Sequence, residues 1–265
     1  MYPFNYHRAD SVKDAAKRLK EEPEAKLLAG GQTLLPTMKQ RLAGPSDLID
    51  ISRIGDLKSI KSDKSGVEIG AMCTHAEVAG SKEVQNAIPA LAQLAGDIGD
   101  AHVRAVGTLG GSVANNDPAA DYPAACLGLG ATIVTDQRSI PADEFFTGLF
   151  ETALNEDEIV TAVKFPIPSR AGYMKFKNPA SRYAMVGVFV AQTADGVRVA
   201  VTGAGADGVF RVPEMEAALD NDFSADAVAG ISVPADGLNS DIHASADYRA
   251  HLITVMAKRA VAAAS

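Results

Sequence analysis

Residues 106–125, VGTLGGSVANNDPAADYPAA, are the stretch on which the interpretation of this sequence depends. Gly107, Gly110 and Gly111 fall within five residues there. Paired glycines let a backbone approach a ligand closely, because no Cβ atom stands in the way. Successive exposed N–H groups in such a loop form a concavity that holds anions such as phosphate. Asp121 follows the loop and is well placed to accept hydrogen bonds from sugar hydroxyls. The stretch therefore predicts a loop that binds a phosphate-bearing ligand.

A second glycine pair, Gly30 and Gly31, lies in residues 26–36, KLLAGGQTLLP. The apolar residues before it predict a short buried strand that leads into a loop. Taken alone, this pair is explained equally well as an ordinary turn at the end of a strand. Two glycine loops in one chain indicate a single ligand with two phosphates, held from both sides.

The composition limits the class of protein. The chain has 265 residues, of which 47% are hydrophobic and 22% charged, as in an ordinary globular protein. The formal net charge is −8, and a nucleic-acid-binding domain needs a basic surface, so we expect no nucleic-acid partner. No apolar run approaches the ~20 residues of a membrane span, and the N-terminus lacks a signal-peptide pattern. We therefore expect a cytoplasmic protein with no membrane span.

Two cysteines, Cys73 and Cys126, are present in the whole chain. An iron–sulfur cluster normally takes four thiolates, and no Cys/His grouping suits structural zinc, so no metal site is expected. A disulfide scaffold is not indicated either, which fits a reducing cytoplasm. We expect both cysteines to be buried as small hydrophobic residues.

The hydrophobic pattern predicts alternating strands and helices. Ser11 and Asp14 predict the N-terminus of one helix, and Thr74 is expected to cap another near His75. Short strands are predicted at residues 47–51, 131–134 and 158–165, and a hairpin joins residues 57–60 to 67–69. After a boundary marked by prolines at 166 and 168, strands are predicted at residues 173–176, 185–193 and 197–202. The helices VPEMEAAL and ADYRAHLITVMAKRAVAAA follow, with a shorter one around AVAGI.

One motif points to a different cofactor. Residues 203–208 spell GxGxxG after a predicted strand. A Rossmann dinucleotide site needs a helix that begins inside the motif and then a second parallel strand. Here VFRVP intervenes and Pro213 opens the helix late, so we interpret the motif as a turn and expect no NAD site there.

Four segments in order resemble one known family: AGGQTLLPTMKQRL, IGAMCTH, GTLGGSVANNDPAADYPAA and ADYRAHL…AKRA. Across nearly the whole chain they are similar to the FAD-binding medium subunit of the molybdenum hydroxylases, which include aerobic carbon monoxide dehydrogenase and xanthine dehydrogenase. The resemblance implies a vanillyl-alcohol-oxidase-type (PCMH-type) α+β fold. Its parts would be two FAD-binding subdomains, residues 1–56 and 57–166, and a C-terminal α+β domain, residues 167–265, with a three-stranded sheet and helices.

The resemblance also implies which residues hold FAD. Residues 29–35 would wrap the pyrophosphate with backbone N–H groups, and residues 110–113 would face it from the second subdomain. Asp121 matches an aspartate that hydrogen-bonds the cofactor, Lys177 a lysine that reaches the flavin edge, and Val160 an apolar backbone contact. Many relatives have Asn in place of Ser112. The expected cofactor-binding residues are Ala29, Gly30, Gly31, Gln32, Thr33, Leu34, Leu35, Thr74, His75, Gly107, Thr108, Gly110, Gly111, Ser112, Val113, Asp117, Asp121, Val160 and Lys177.

No catalytic side chain is expected, because hydride and electron transfer are the chemistry of the cofactor. His75 is therefore not assigned as a general base, and either His102 or Arg104 could touch the flavin ring or the adenine. By the same resemblance, electrons would come from a molybdenum-cofactor large subunit through an iron–sulfur small subunit and leave to an external acceptor. Two alternatives stay open: a free-standing FAD oxidoreductase with its own small substrate, and a non-catalytic nucleotide-binding module that has lost the flavin.

Overall fold

The computed structural model describes all 265 residues. The strands, in chain order, are β1 (Asn5–Arg8), β2 (Lys26–Leu28), β3 (Asp47–Asp50), β4 (Ile60–Ser62), β5 (Val67–Gly70), β6 (Thr132–Thr135), β7 (Ser139–Pro141), β8 (Phe146–Gly148), β9 (Glu151–Thr152), β10 (Val160–Phe165), β11 (Arg170–Lys177), β12 (Ala184–Thr193), β13 (Gly196–Thr202) and β14 (Phe210–Arg211). The helices are α1 (Val12–Glu21), α2 (Leu34–Lys39), α3 (His75–Gly80), α4 (Lys82–Ala87), α5 (Pro89–Gly96), α6 (Ala101–Val106), α7 (Leu109–Asn115), α8 (Tyr122–Leu129), α9 (Ala142–Phe145), α10 (Pro213–Asn221) and α11 (Ala246–Ala263), with a 3₁₀ turn at Gly55–Lys58.

Three main sheets follow one another along the chain. The first has the order β1-β3-β2 and is parallel; the second, β4-β5-β10-β6-β7, is antiparallel. The third, β11-β12-β13-β14, is also antiparallel, and β8 pairs with β9 in a separate hairpin. The predicted α+β fold is confirmed. Each main sheet lies within one of the three segments expected from the sequence. The division into domains at residues 56 and 166 is consistent with this arrangement and stays a prediction.

The first sheet is covered by α1, as the sequence predicts. The Ser11 hydroxyl accepts a hydrogen bond from the Asp14 N–H and so caps the helix. Ala15 and Leu19 are buried on the inner face of the helix and share a core with Ile49 of β3. This packing of α1 on the first sheet supports β2, which pairs with β3 and leads into the Gly30–Gly31 loop.

The helix α8 joins the second sheet to the third. All eight of its residues are buried, because it packs against β12 and β13 as well as against the core of the second subdomain. Gly128 lies so close to Phe189 of β12 that a Cβ atom there would be 2.7 Å from the ring. This explains the continuous apolar run AACLGLGATIV, and it ties the C-terminal sheet rigidly to the FAD-binding part.

The C-terminal sheet has three long strands, as expected, and one more: the two-residue β14 pairs with β13 through Ala200 and Val201. The long helix α11 begins at its Ser245 cap and packs on β11 and β12. It ends at Ala263, within one residue of the end of the segment predicted from the sequence. The helix predicted around AVAGI is wrong, since residues 224–230 form turns. The GxGxxG segment is a turn between β13 and β14, as predicted.

The main correction concerns the stretch around residue 110. We expected a loop, but α6 and α7 occupy most of it, separated by Gly107 and Thr108. The Thr108 side chain caps α7 by accepting the Gly111 N–H at 3.1 Å. Gly110 is buried against Ala71: its N–H donates to the Ala71 carbonyl at 2.8 Å, and a Cβ atom at residue 110 would collide with Ala71. The glycines therefore serve close helix packing more than an open loop. No helix in the structure is both long and apolar enough to cross a membrane.

Candidate cofactor site

A cavity of about 1120 Å³ is lined by residues from the segments 19–51, 75–160 and 180–183. Typical small-molecule pockets hold ~300–1,000 Å³, so this one suits a long ligand. Its walls include the loop after β2, the segment between α6 and α7, and the turn between β11 and β12. Fourteen of the predicted cofactor-binding residues line it: Ala29, Gly30, Gly31, Gln32, Thr33, Leu34, His75, Gly107, Thr108, Gly111, Ser112, Asp117, Asp121 and Val160.

The loop at residues 30–33 has the chemistry of an anion site. None of its backbone N–H groups donates a hydrogen bond within the protein. Gly31 has φ +66°, a conformation that glycine adopts without strain and that turns the loop before α2 begins. A row of N–H donors left free beside a cavity matches the needs of a pyrophosphate. The donor set therefore fits the cofactor that the sequence implies.

The opposite wall uses side chains rather than backbone N–H groups. The N–H groups of Gly111 and Ser112 donate to the side-chain and backbone oxygens of Thr108, at 3.1 and 3.0 Å. They are therefore committed to the first turn of α7, and the expected backbone contacts to a pyrophosphate from this side are not formed by free donors. The Ser112 side chain, by contrast, lines the cavity and hydrogen-bonds to no protein group. Its hydroxyl is therefore available to a ligand.

Asp121 lines the cavity and contacts β11 of the C-terminal sheet. Its Oδ1 forms an ion pair with Lys175 at 2.8 Å and accepts a hydrogen bond from the Tyr173 hydroxyl. Burial raises the pKa of the Asp121 carboxyl, and the Lys175 ammonium opposes that rise. Burial also raises the pKa of Tyr173, so its phenol keeps the proton that it donates.

His75 is a neutral, buried ring in the cavity wall. Burial, aided by the nearby Arg104, lowers the pKa of His75 to about 4. Its Nδ1 has no hydrogen-bond partner, and its ring centroid lies 5.4 Å from that of Tyr122. A neutral imidazole can offer either a donor or an acceptor to a cofactor but no charge. His102 is exposed on α6, and Arg104 donates to the carbonyls of residues 98 and 99.

Five predicted residues do not line the cavity: Leu35, Thr74, Gly110, Val113 and Lys177. The hydroxyl of Thr74 is used in a capping box with Glu77 at the start of α3. Val113 packs in the core of the second subdomain, and the Lys177 ammonium forms an ion pair with Asp97 at 2.7 Å. The polar groups of Thr74 and Lys177 are thus already engaged by partners within the protein.

Other lining residues were missed by the sequence analysis. Asn155 and Glu158 lie just before β10, and Ser181 and Tyr183 lie in the turn between β11 and β12. The Glu158 carboxylate is buried against Arg138, whose guanidinium lowers the pKa of Glu158 to about 2. These segments carry no glycine pair. A polar turn between two predicted strands is the one signal that could have pointed to residues 178–183.

Residues 2–168 match the protein family described as "FAD binding domain in molybdopterin dehydrogenase". The chain belongs to the FAD-binding medium subunits of the molybdenum hydroxylases. Within this family, the carbon monoxide dehydrogenase medium chain of Hydrogenophaga pseudoflava is 36% identical over 98% of this chain and 96% of its own length. The glyceraldehyde dehydrogenase medium chain of Sulfolobus acidocaldarius is 33% identical over 98% of each chain.

Solved structures agree with this family assignment. The carbon monoxide dehydrogenase from Hydrogenophaga pseudoflava that lacks the Mo-pyranopterin moiety of the molybdenum cofactor aligns with a TM-score of 0.88 at 36% identity. The alignment covers 99% of this chain and 98% of that chain. The predicted family, fold class and cofactor are confirmed: this medium subunit is an FAD-binding oxidoreductase chain. The roles of individual residues toward FAD stay predictions.

Proposed function

We propose that this chain is the electron-transfer subunit of a molybdenum hydroxylase assembly. It would receive electrons from the iron–sulfur clusters of a small partner subunit, themselves reduced from a molybdenum-cofactor large subunit, and pass them to an external acceptor. The observation that carries the proposal is a cavity with free backbone donors for FAD in a chain that has no means of holding a cluster.

The cysteines support the second half of that statement. Cys73 and Cys126 are both buried and free. Burial raises the pKa of Cys73 to about 11 and that of Cys126 further still, so neither thiol is a thiolate. Since cluster iron is held by several thiolates, the clusters that reduce the flavin in this proposal lie on another chain. Free buried thiols also suit the reducing cytoplasm in which we place the protein.

When bound, FAD supplies the redox chemistry that links one-electron donors such as clusters to two-electron acceptors. The chain's own residues bind and orient it. In this proposal the N–H groups of residues 30–33 hold the pyrophosphate, Ser112 contacts it from α7 and Thr108 from the N-cap of that helix, and Asp121 accepts a hydrogen bond from a hydroxyl. His75 contributes a neutral polar wall, which leaves the charge of the cofactor unaltered.

The partner is proposed to dock beside the turn between β11 and β12. Residues 180–183 border the cavity, and Tyr183 is 53% exposed next to it. Arg182 has φ +63°, a left-handed backbone conformation within this turn. Exposed Tyr and Arg are enriched in protein interfaces. With the first subdomain, this turn forms the edge across which electrons would enter.

The substrate of the assembly would be selected on the large subunit, not on this chain. The relatives are named for carbon monoxide and for glyceraldehyde at similar identity to this chain, so the medium chain does not distinguish them. Carbon monoxide, an aldehyde and an aromatic heterocycle are the candidates to be offered to the complete complex.

Stopped-flow absorbance at the flavin band tests the proposal. The isolated, FAD-loaded chain should show no bleaching with carbon monoxide, purines or aldehydes. The same chain with its co-expressed large and small subunits should be reduced by one of them. Rapid bleaching of the isolated chain by an organic substrate would support a free-standing oxidoreductase instead. A purified chain that never carries flavin would support the non-catalytic module.

A further inference from the structure

We propose that Lys175 and Tyr173, on β11 of the C-terminal domain, are positioning residues for FAD that act through Asp121. Both contact one oxygen of the Asp121 carboxylate, Oδ1, and leave the other oxygen for the cofactor. The inference rests on the FAD-binding role of Asp121, and it makes the C-terminal domain part of the cofactor site rather than a separate appendage.

The geometry divides the two carboxylate oxygens between two tasks. Oδ1 accepts from the Lys175 ammonium at 2.8 Å and from the Tyr173 hydroxyl. Oδ2 accepts no hydrogen bond from the protein. It is also not one of the fully buried polar atoms without a partner, so part of its surface is exposed. Because Asp121 lines the cavity, Oδ2 is the oxygen that a ligand can reach.

The strand places the supporting groups in one row. Side chains two residues apart on a strand lie on the same face, so Tyr173, Lys175 and Lys177 follow one another along β11. The Lys175 side chain is 0% exposed, and its ammonium also donates to the Asp97 carbonyl at 2.9 Å. The Lys177 ammonium pairs with the Asp97 carboxylate. Two ammonium groups thus face two carboxylates, and the row crosses from the C-terminal sheet to the FAD-binding part.

Stability alone does not account for the pair. A buried ion pair contributes little more than well-packed apolar residues of similar size, whereas removing one member leaves an uncompensated charge. Tyr173 is likewise buried, and its hydroxyl is spent on the same oxygen. Because Lys175 and Tyr173 both contact Oδ1, they fix the orientation of the Asp121 carboxylate. We infer that this orientation, and not a gain in folding stability, is their main role.

The titratable and charged groups that face Asp121 are few. Tyr173 and Lys175 approach from β11, Asp97 from the end of α5, and Tyr122 is its chain neighbour on α8. Lys177 and Tyr183 lie one step further out. Lys175 is the one cation in contact with the carboxylate, so its loss lets Asp121 take up a proton at higher pH than in the wild type.

The experiment measures the Kd of FAD by quenching of flavin fluorescence between pH 5.5 and 8.5. Lys175→Met should weaken FAD binding by about tenfold or more at pH 7 and make it more strongly pH-dependent than in the wild type, with tighter binding as the pH rises. Tyr173→Phe should weaken it several-fold. Arg198→Met is the matched control: Arg198 also joins the C-terminal sheet to the FAD-binding part, through Asp143 and the Leu127 carbonyl, but it does not line the cavity.

The double variant Asp121→Asn/Lys175→Met keeps the test decisive if Lys175→Met fails to fold, since it leaves no unpaired charge. Its affinity should equal that of Asp121→Asn alone, because Lys175 acts through Asp121. A double variant much weaker than Asp121→Asn would overturn the positioning role. So would a folded Lys175→Met with wild-type affinity, or an Asp121→Asn that binds FAD as the wild type does. None of these outcomes touches the electron-transfer proposal, which depends on flavin reduction by partner chains.

Discussion

The carbonyl oxygen of Val106 occupies the place that a Cβ atom of residue 30 would take, so Gly30 and Val106 are in direct backbone contact. Val106 ends α6, and Gly30 begins the loop whose N–H groups are free. The two glycine segments recognised in the sequence are therefore one unit, joined at this contact. The position of the loop at residues 30–33 is set by the helix that precedes Gly107.

Gly30→Ala should separate these two segments and displace the free N–H donors. Losing one or two charge-assisted hydrogen bonds, at ~1.5–3 kcal/mol each, weakens FAD binding by at least about tenfold. Flavin fluorescence titration measures the change. Gly80→Ala is the control, because a Cβ atom at Gly80 meets nothing within 4 Å. Equal FAD affinity in both variants would show that the Gly30 contact does not shape the site.

Thr74→Ala should lower the stability of the protein and leave FAD affinity unchanged. The Thr74 hydroxyl accepts from the Glu77 N–H at 3.2 Å and is committed to the capping box of α3. Loss of such a cap costs about 1 kcal/mol of the free energy of unfolding. Thr74→Ser should retain the cap and most of the stability in urea denaturation. A large loss of FAD affinity in Thr74→Ala would restore the cofactor contact implied by the family resemblance.

His75 should make the protein less stable as the pH falls from about 6.5 to about 4. Its pKa in the folded protein is about 4, below the ordinary value of 6.5, so the unfolded chain takes up the proton first in this window. The difference corresponds to about 3 kcal/mol at most. Urea unfolding of the FAD-saturated protein at several pH values measures it. His75→Gln should flatten the slope in that window, and an unchanged slope contradicts the assignment.

Arg138→Met should lower the free energy of unfolding, because it removes the cation that pairs with Glu158 in the cavity wall. The Glu158 side chain is 0% exposed, and Arg138 bonds both of its oxygens, at 2.9 and 3.0 Å. A buried carboxylate without its cation costs about 2–3 kcal/mol here, less than for a fully buried pair because Arg138 is half exposed. In the wild type this stability is present above pH 4.5 and is lost as the pH falls toward 2, the pKa of Glu158.

In Arg138→Met that loss should begin at a higher pH, which urea unfolding at pH 5 and pH 7 detects. Lys164→Met, which breaks the exposed pair of Lys164 with Glu68, should change stability by less than about 1 kcal/mol. If the two variants were equally stable, Glu158 would not depend on Arg138. Such a result would leave the low pKa of Glu158 without its main cause.

Local sequence rules predicted the supports of the site well. The Ser11 cap, the Thr74 cap and the turn at residues 203–208 each depend on a few neighbouring residues. The same rules failed around Gly110, where the glycines suggested an open loop. There the deciding contact is with Ala71, about forty positions away in the chain, and no local pattern records it.

By itself, the sequence determined the family, the α+β fold, FAD as the cofactor and the loop at residues 30–33. Motif order and glycine spacing are properties of the chain, and they are visible without coordinates. Only the tertiary structure decided which groups are already occupied. Gly110 donates to Ala71, Lys177 pairs with Asp97, and Asp121 is held by Tyr173 and Lys175, which lie more than fifty residues further along the chain. Hydrogen bonds and ion pairs between distant segments exist only once the segments are packed, and they determine which donors are left for FAD.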